Sequence, residues 1–219
     1  MVIKELINIK KNRKIALITG ATSGIGKVYA SKFACMGYNL IITGRRKEKI
    51  ESFAKELYEK HNTNVDVNII ELSDLASVDN FIEKIKEMDI EVLVNNAGFG
   101  AWNYFHDEEF KTFESMINVH IVTSTKLIYA LLPKMQKKNK GTIINVCSDG
   151  AFLVIPKNSV YAGTKSYLKV FTEALYLENI NKGIKIQALC PGLTRTDFQE
   201  KIGMSKTKQV NKGLMRWMN

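Results

Sequence analysis

The sequence predicts an α/β protein in which one doubly wound parallel sheet carries helices on both faces. Three observations predict it. Apolar runs of strand length alternate with helix-period segments along the chain. Those runs are near-continuous Ile, Leu and Val, as suits strands covered on both faces. A glycine-rich turn follows the first run and opens a helix, where such sheets bind phosphate groups.

Taken in order, the strands fall at 15–19 (IALIT), 39–43 (NLIIT), 65–70, 92–95 (VLVN), 142–147 and 185–190. Between them, apolar residues recur at helical spacing. Val28, Phe33 and Met36 follow the first strand; Val78, Phe81, Ile82 and Ile85 precede the fourth; Leu168, Phe171 and Leu175 precede the sixth. Pro191 directly follows the last strand, where the chain turns. No repeat, low-complexity stretch or linker divides the chain. A single Rossmann-like domain over 1–219 is expected, with 193–219 as the substrate-loop region.

Hydrophobic residues make up 45% and charged residues 25%, the balance of an ordinary globular protein. The three cysteines, Cys35, Cys147 and Cys190, are widely spaced, which argues for a reducing interior and against a disulfide framework. No uninterrupted apolar run is long enough to span a bilayer, and 1–14 lack an apolar leader core. A cytoplasmic protein with no integral membrane segment is expected. The net charge of +10 is read as a lysine-rich solvated surface that also attracts an anionic cofactor. No aromatics interleave with the lysines to stack bases, so no nucleic-acid partner is expected.

The chemistry is carried by three groups of residues. In Thr19-Gly20-Ala21-Thr22-Ser23-Gly24-Ile25-Gly26, glycines let the backbone approach a pyrophosphate that meets the N–H groups of the following helix. The second strand ends Thr43-Gly44-Arg45-Arg46. No acid stands there to bond a ribose hydroxyl, and Arg45 is suited to a 2′-phosphate, so NADP(H) is favoured over NAD(H). Finally, Ser148 follows the fifth strand, and Tyr161-x-x-x-Lys165 places a phenol and an ammonium on one helix face. An adjacent ammonium lowers a phenol's pKa, which equips Tyr161 to exchange protons near neutral pH. His106 and His120 lie at no ligand spacing and read as surface or partly buried histidines, so no metal is expected. Asp149 and Cys147 beside Ser148 read as neighbours without a catalytic role.

With Asn95-Asn96-Ala97-Gly98, Asn118, Pro191-Gly192 and Thr196 in register with these groups, nearly the whole chain resembles the short-chain dehydrogenase/reductase family. The stretch 173–198 is similar to branches acting on long-chain 3-oxoacyl thioesters and hydroxysteroids. The resemblance implies an NADP(H)-dependent oxidoreductase that interconverts a carbonyl and an alcohol on a fairly apolar substrate. It implies a catalytic set of Asn118, Ser148, Tyr161 and Lys165. In that set Tyr161 is the general acid or base, and Lys165 lowers its pKa and holds the nicotinamide ribose. Ser148 bonds the substrate carbonyl, and Asn118 shapes a helix and a water leading to Lys165. Cofactor contacts are implied for Gly20, Thr22, Ser23, Gly24, Ile25, Gly26, Arg45, Glu71, Leu72, Asn96, Ala97, Gly98, Tyr161, Lys165, Pro191, Gly192 and Thr196. Glu71 stands where the family usually has an aspartate, and Ser23 where NADP users often carry a basic residue. Family members run further, through another helix and a last edge strand, so this chain is expected to lack that strand. A homodimer or homotetramer through helices at about 107–133 and 158–180 is also implied. The alternative reading is a non-catalytic, redox-sensing nucleotide-binding protein that keeps the fold.

Overall fold

The computed structural model describes residues 13–194. Among these residues are six strands and six α-helices, one helix between successive strands except for two between the fourth and fifth: β1 (Ile15–Ile18), α1 (Gly24–Cys35), β2 (Asn39–Gly44), α2 (Lys47–His61), β3 (Val65–Ile69), α3 (Leu75–Ile85), β4 (Ile90–Asn95), α4 (Phe110–Ile117), α5 (Ser124–Lys137), β5 (Gly141–Val146), α6 (Ser159–Asn179) and β6 (Ile184–Leu189). All pairings are parallel, in the order β3-β2-β1-β4-β5-β6. After β3 the chain crosses to the other side of β1, so the winding reverses there. That reversal opens a crevice at the carboxyl ends of β1 and β4, the place where such sheets take their ligands.

Successive strand residues point to opposite faces, and both faces are buried. Ala16, Ile18, Leu40, Ile42, Val92 and Val94 pack under Ala30 and Ala34 of α1 and Ile50, Phe53 and Leu57 of α2. Leu17, Ile41, Leu93 and Ile143 pack under Phe81 and Ile85 of α3, Leu127, Leu131 and Met135 of α5, and Leu175 of α6. This two-sided burial is why the strands read in sequence as solid apolar runs.

The structure corrects one element. The helix expected over about 107–133 is α4, then a six-residue π-helical segment, Asn118–Thr123, then α5. The wider turn directs Val119, His120 and Thr123 inward, and such segments recur at functional sites. The continuous helical stretch Phe110–Lys137 has the length and hydropathy of a membrane span. Here it serves as a core helix, with Leu127, Ile128, Leu131 and Met135 buried against the sheet.

Candidate active site

The phosphate turn is built by backbone demands. Gly20 has φ of +67°, and a Cβ on it would sit 2.8 Å from Ala97 Cα, so no side chain fits. The Asn96–Gly98 segment is clasped to this turn. Thr19 Oγ1 accepts from the Asn96 and Ala97 N–H groups at 2.9 and 3.0 Å, and Asn96 Nδ2 donates to the Thr19 and Gly20 carbonyls at 2.9 and 3.1 Å. Ser23 takes the N-cap position of α1 without a side-chain capping bond, and the first turn holds no acid. The first-turn N–H groups are therefore available to an anion, and the turn fits a pyrophosphate.

The two arginines take different partners. Arg45 turns to Glu71, with Nη1 to Oε2 at 3.0 Å. Arg46, not Arg45, reaches the phosphate turn, donating to Thr22 Oγ1 at 3.0 Å and Ser23 Oγ at 3.1 Å. Burial pushes the Glu71 carboxyl pKa up, but bonds from Ser73 and Arg45 outweigh it and hold the group below its ordinary value. Leu72 is buried with Val78 and Val119, and its carbonyl accepts from Thr123 Oγ1 at 2.8 Å. Ile25 packs partly against the core under α1.

At the other end of the crevice, Ser148 follows β5 and caps the short turn Asp149–Phe152 by accepting from Gly150 N–H at 3.1 Å. Its hydroxyl donates to Asp149 Oδ1 at 3.1 Å, and a Cβ on Gly150 would lie 3.3 Å from this oxygen and 3.5 Å from the Tyr161 ring. Pro191, after β6, receives the Asp149 N–H on its carbonyl at 3.0 Å, and the Gly192 carbonyl accepts from Thr194 Oγ1. Thr196 and the rest of 195–219, including most of the expected substrate-loop region, lie outside the described residues.

Lys165 is 4% exposed and donates to the Val146 carbonyl at 2.8 Å. Burial pulls its pKa down to about 8. The expected lowering of the Tyr161 pKa is not found. Burial raises it first, the nearby Ser148 hydroxyl opposes the rise, and Asp149 and Cys147 add to it. The i, i+4 spacing aligns the two residues on α6. The ammonium nevertheless points to β5, with Nζ 5.8 Å from the Tyr161 ring centroid. Asn118 begins the π-helical segment, and its carboxamide donates to the Ser73 carbonyl instead of reaching toward Lys165.

The sequence reading missed His120. It is fully buried, not a surface or partly buried histidine. Phe99 N–H donates to His120 Nε2 at 3.2 Å, so Nδ1 carries the proton and donates to Thr164 Oγ1 at 2.8 Å. Thr164 in turn donates to the Tyr161 carbonyl at 2.8 Å. The chain of bonds ties the loop after β4 to the first turn of α6. Burial, then the Lys165 charge, push the His120 pKa well below its ordinary value. Its only sequence signal is a polar side chain inside an apolar run two positions after Asn118. Among the described residues, no three His, Cys, Asp or Glu side chains gather as a metal site.

Comparison with known proteins agrees with this geometry. The family model described as short chain dehydrogenase matches residues 14–207. A relative from Schizosaccharomyces pombe, named NADP-dependent 3-hydroxy acid dehydrogenase, is 39% identical over 189 residues, covering 84% of this chain and 73% of that protein. A relative from Homo sapiens, named inactive hydroxysteroid dehydrogenase-like protein 1, is 32% identical over 193 residues; the match covers 87% of this chain but only 58% of that protein's length. The solved short-chain dehydrogenase from Sphingobium yanoikuyae in complex with NADPH superposes with a TM-score of 0.84 at 30% identity, covering 88% of this chain and 75% of that one.

His120 gives a pH test. Its folded pKa is depressed, so the unfolded chain takes up a proton near pH 6.5 that the folded one does not. Its contribution to stability is therefore present above pH 6.5 and lost below it, with a limiting slope of about 1.4 kcal/mol per pH unit. Urea unfolding between pH 7 and 5 should show this slope in the natural chain and a flatter one in His120→Asn. Equal slopes would refute the neutral tautomer.

Proposed function

The chain belongs to the short-chain dehydrogenase family, and on that footing we propose that it is an NADP(H)-dependent oxidoreductase interconverting a ketone or aldehyde and an alcohol on a fairly apolar small-molecule or acyl substrate. One observation carries the reading: Ser148 and Tyr161 flank Gly150 together, since a Cβ there would lie 3.3 Å from Ser148 Oγ and 3.5 Å from the Tyr161 ring, with the buried Lys165 one turn along α6. Two hydroxyl-bearing side chains that border the same glycine can converge on one carbonyl oxygen, where negative charge develops.

The residues at the phosphate turn fit NADP(H). Gly20 leaves room for close approach, α1 offers its N–H groups, and Arg46 brings a guanidinium to Thr22 and Ser23 while Arg45, next to it in the chain, is held by Glu71. When bound, the cofactor supplies the hydride. In reduction, Tyr161 gives its proton to the substrate oxygen, and its raised pKa keeps it protonated for that task. Ser148 turns its hydroxyl from Asp149 to the same oxygen, while Gly150 N–H continues to hold Oγ in place. Lys165 holds positive charge beneath the pair where water is excluded, so its field acts on the developing oxyanion at low dielectric.

The apolar substrate reading rests on the loops after β4 and β5. Lys157 Nζ lies 4.5 Å over the Tyr104 ring, which brings those loops face to face. They expose Trp102, Tyr104, Phe105, Phe152, Leu153 and Val154 around the crevice. Exposed Tyr129 on α5 and Val170 and Leu177 on α6 support a homodimer or larger homo-oligomer, and the free thiols support a cytoplasmic setting.

Three variants test the reading against a panel of ketones, 3-oxoacyl thioesters and hydroxysteroids. Tyr161→Phe should lower kcat by about 10²–10⁴-fold while the NADPH Kd stays within a few-fold; full turnover would refute the mechanism. NADPH binding with no oxidation by the natural chain would favour the non-catalytic alternative. Asp149→Asn removes a charge that raises the Tyr161 pKa, so the alkaline fall of kcat/KM in reduction should move to lower pH. Arg46→Ala removes a charge-assisted contact of about 1.5–3 kcal/mol, so NADPH should bind about 10–100-fold more weakly with NADH little changed. Equal losses for both cofactors would refute a role for Arg46 at the 2′-phosphate.

A further inference from the structure

We propose that Cys147 and Cys190 form a thiol–disulfide modification site built across the two strands that carry Ser148 and the Pro191–Gly192 loop. The sheet register places them together. Val146 pairs with Leu189, and the ladder continues one step further, with Cys147 N–H donating to the Leu189 carbonyl at 2.7 Å. Asp149 N–H then bonds the Pro191 carbonyl at 3.0 Å, so the alignment holds beyond the strand ends. Cys147 and Cys190 are therefore directly opposite on parallel neighbours, with side chains on the same face. Neighbouring strands lie about 4.8 Å apart, inside the span of about 4.4–6.8 Å that a disulfide bridges between Cα atoms. The Cys147 thiol donates to the Asn145 carbonyl at 3.6 Å, and the charge of the buried Lys165 acts on it. All three cysteines are free, and Cys35 stands apart, exposed at the end of α1.

The pair has an order of reaction. Cys147 is 2% exposed, whereas Cys190 is only partly covered, so Cys190 meets an oxidant first. Its thiolate attacks one sulfur of a small disulfide; that S–S bond breaks, and the first leaving thiolate takes up the proton that Cys190 released. The Cys147 thiolate then attacks the Cys190 sulfur of the mixed disulfide. The second small thiol leaves with the Cys147 proton, and the protein has lost two electrons and two protons to the oxidant. Burial pushes the Cys147 thiol up to about 12, against the pull of Lys165, which makes the second step the slow one.

The test uses the full chain carrying Cys35→Ser, with glutathione disulfide as oxidant and intact mass as readout, so it does not depend on oxidoreductase activity. The expected result is loss of two hydrogen masses with no retained glutathione, a Cys147–Cys190 linked peptide after digestion, and reversal by dithiothreitol. The double variant Cys35→Ser, Cys147→Ala should stop at a single stable glutathione adduct on Cys190. Stable adducts on the Cys35→Ser protein, a disulfide-linked dimer, or no reaction would each overturn the proposal. An unreacted double variant would overturn the assigned order.

Discussion

The position of α6 over the sheet depends on a buried polar ladder. Asn95 at the end of β4 donates to Asn145 Oδ1 of β5 at 2.9 Å and to the Ser124 carbonyl of α5 at 3.3 Å. Asn145 donates to Thr172 Oγ1 of α6 at 2.7 Å, and Thr172 passes its own proton to the Leu168 carbonyl. Apolar packing alone would let α6 slide or rotate by a fraction of a turn, because it is non-directional. A buried donor or acceptor stripped of its partner costs about 1–3 kcal/mol, so this ladder admits one registration. The Lys165 bond to Val146 adds a second fixed point seven residues earlier on the same helix. Between them they determine where Tyr161 stands relative to Ser148. The chemistry thus inherits its geometry from a chain of neutral amides and hydroxyls below it.

That same burial governs the charges. Lys165, Tyr161, His120 and Cys147 all shift toward their uncharged forms, with burial the largest cause in each case. Each shift is individually unfavourable to the ion it suppresses. Together they describe a pocket where a charge arising on a substrate oxygen meets little screening. An ammonium with a pKa of about 8 is still largely protonated at neutral pH, so Lys165 is the positive charge available inside that pocket. At the phosphate end the balance is reversed. Arg45, Arg46 and Glu71 are more open to solvent, and their pairing there orients side chains more than it stabilises the fold.

The sheet was legible because two-sided burial imposes a simple pattern: all six strands fall within two residues of the expected bounds. The turn after β1 was legible for the same reason, since Gly20 answers a backbone constraint that any sequence must meet there. What escaped depends on side-chain direction, which spacing does not encode. Residues four apart on α6 share a face, yet the Lys165 ammonium bonds β5 and leaves the Tyr161 pKa to burial. Arg45 and Arg46 are consecutive, and only the packing decides which of them reaches Thr22 and Ser23. The π-helical segment was hidden because one added residue per turn scarcely alters a short apolar period, while it carries His120, expected at the surface or partly buried, fully into the core.

His120 and Gly98 show how far such a hidden residue reaches. A Cβ on Gly98 would lie 2.8 Å from His120 Nε2 and 3.5 Å from Lys165 Nζ. The glycine in the Asn95–Gly98 segment is therefore required by the imidazole, while the ammonium lies at ordinary contact distance beside it. The imidazole in turn needs the Phe99 N–H that this glycine presents to it, and protonation of Nε2 would break that bond. Each group is thus the condition for the other. The loop that borders the crevice is held against α6 only while His120 stays neutral, and His120 stays neutral because that loop, the π-helical segment and Lys165 enclose it. A single buried ring thereby joins the cofactor side of the site to the helix bearing Tyr161.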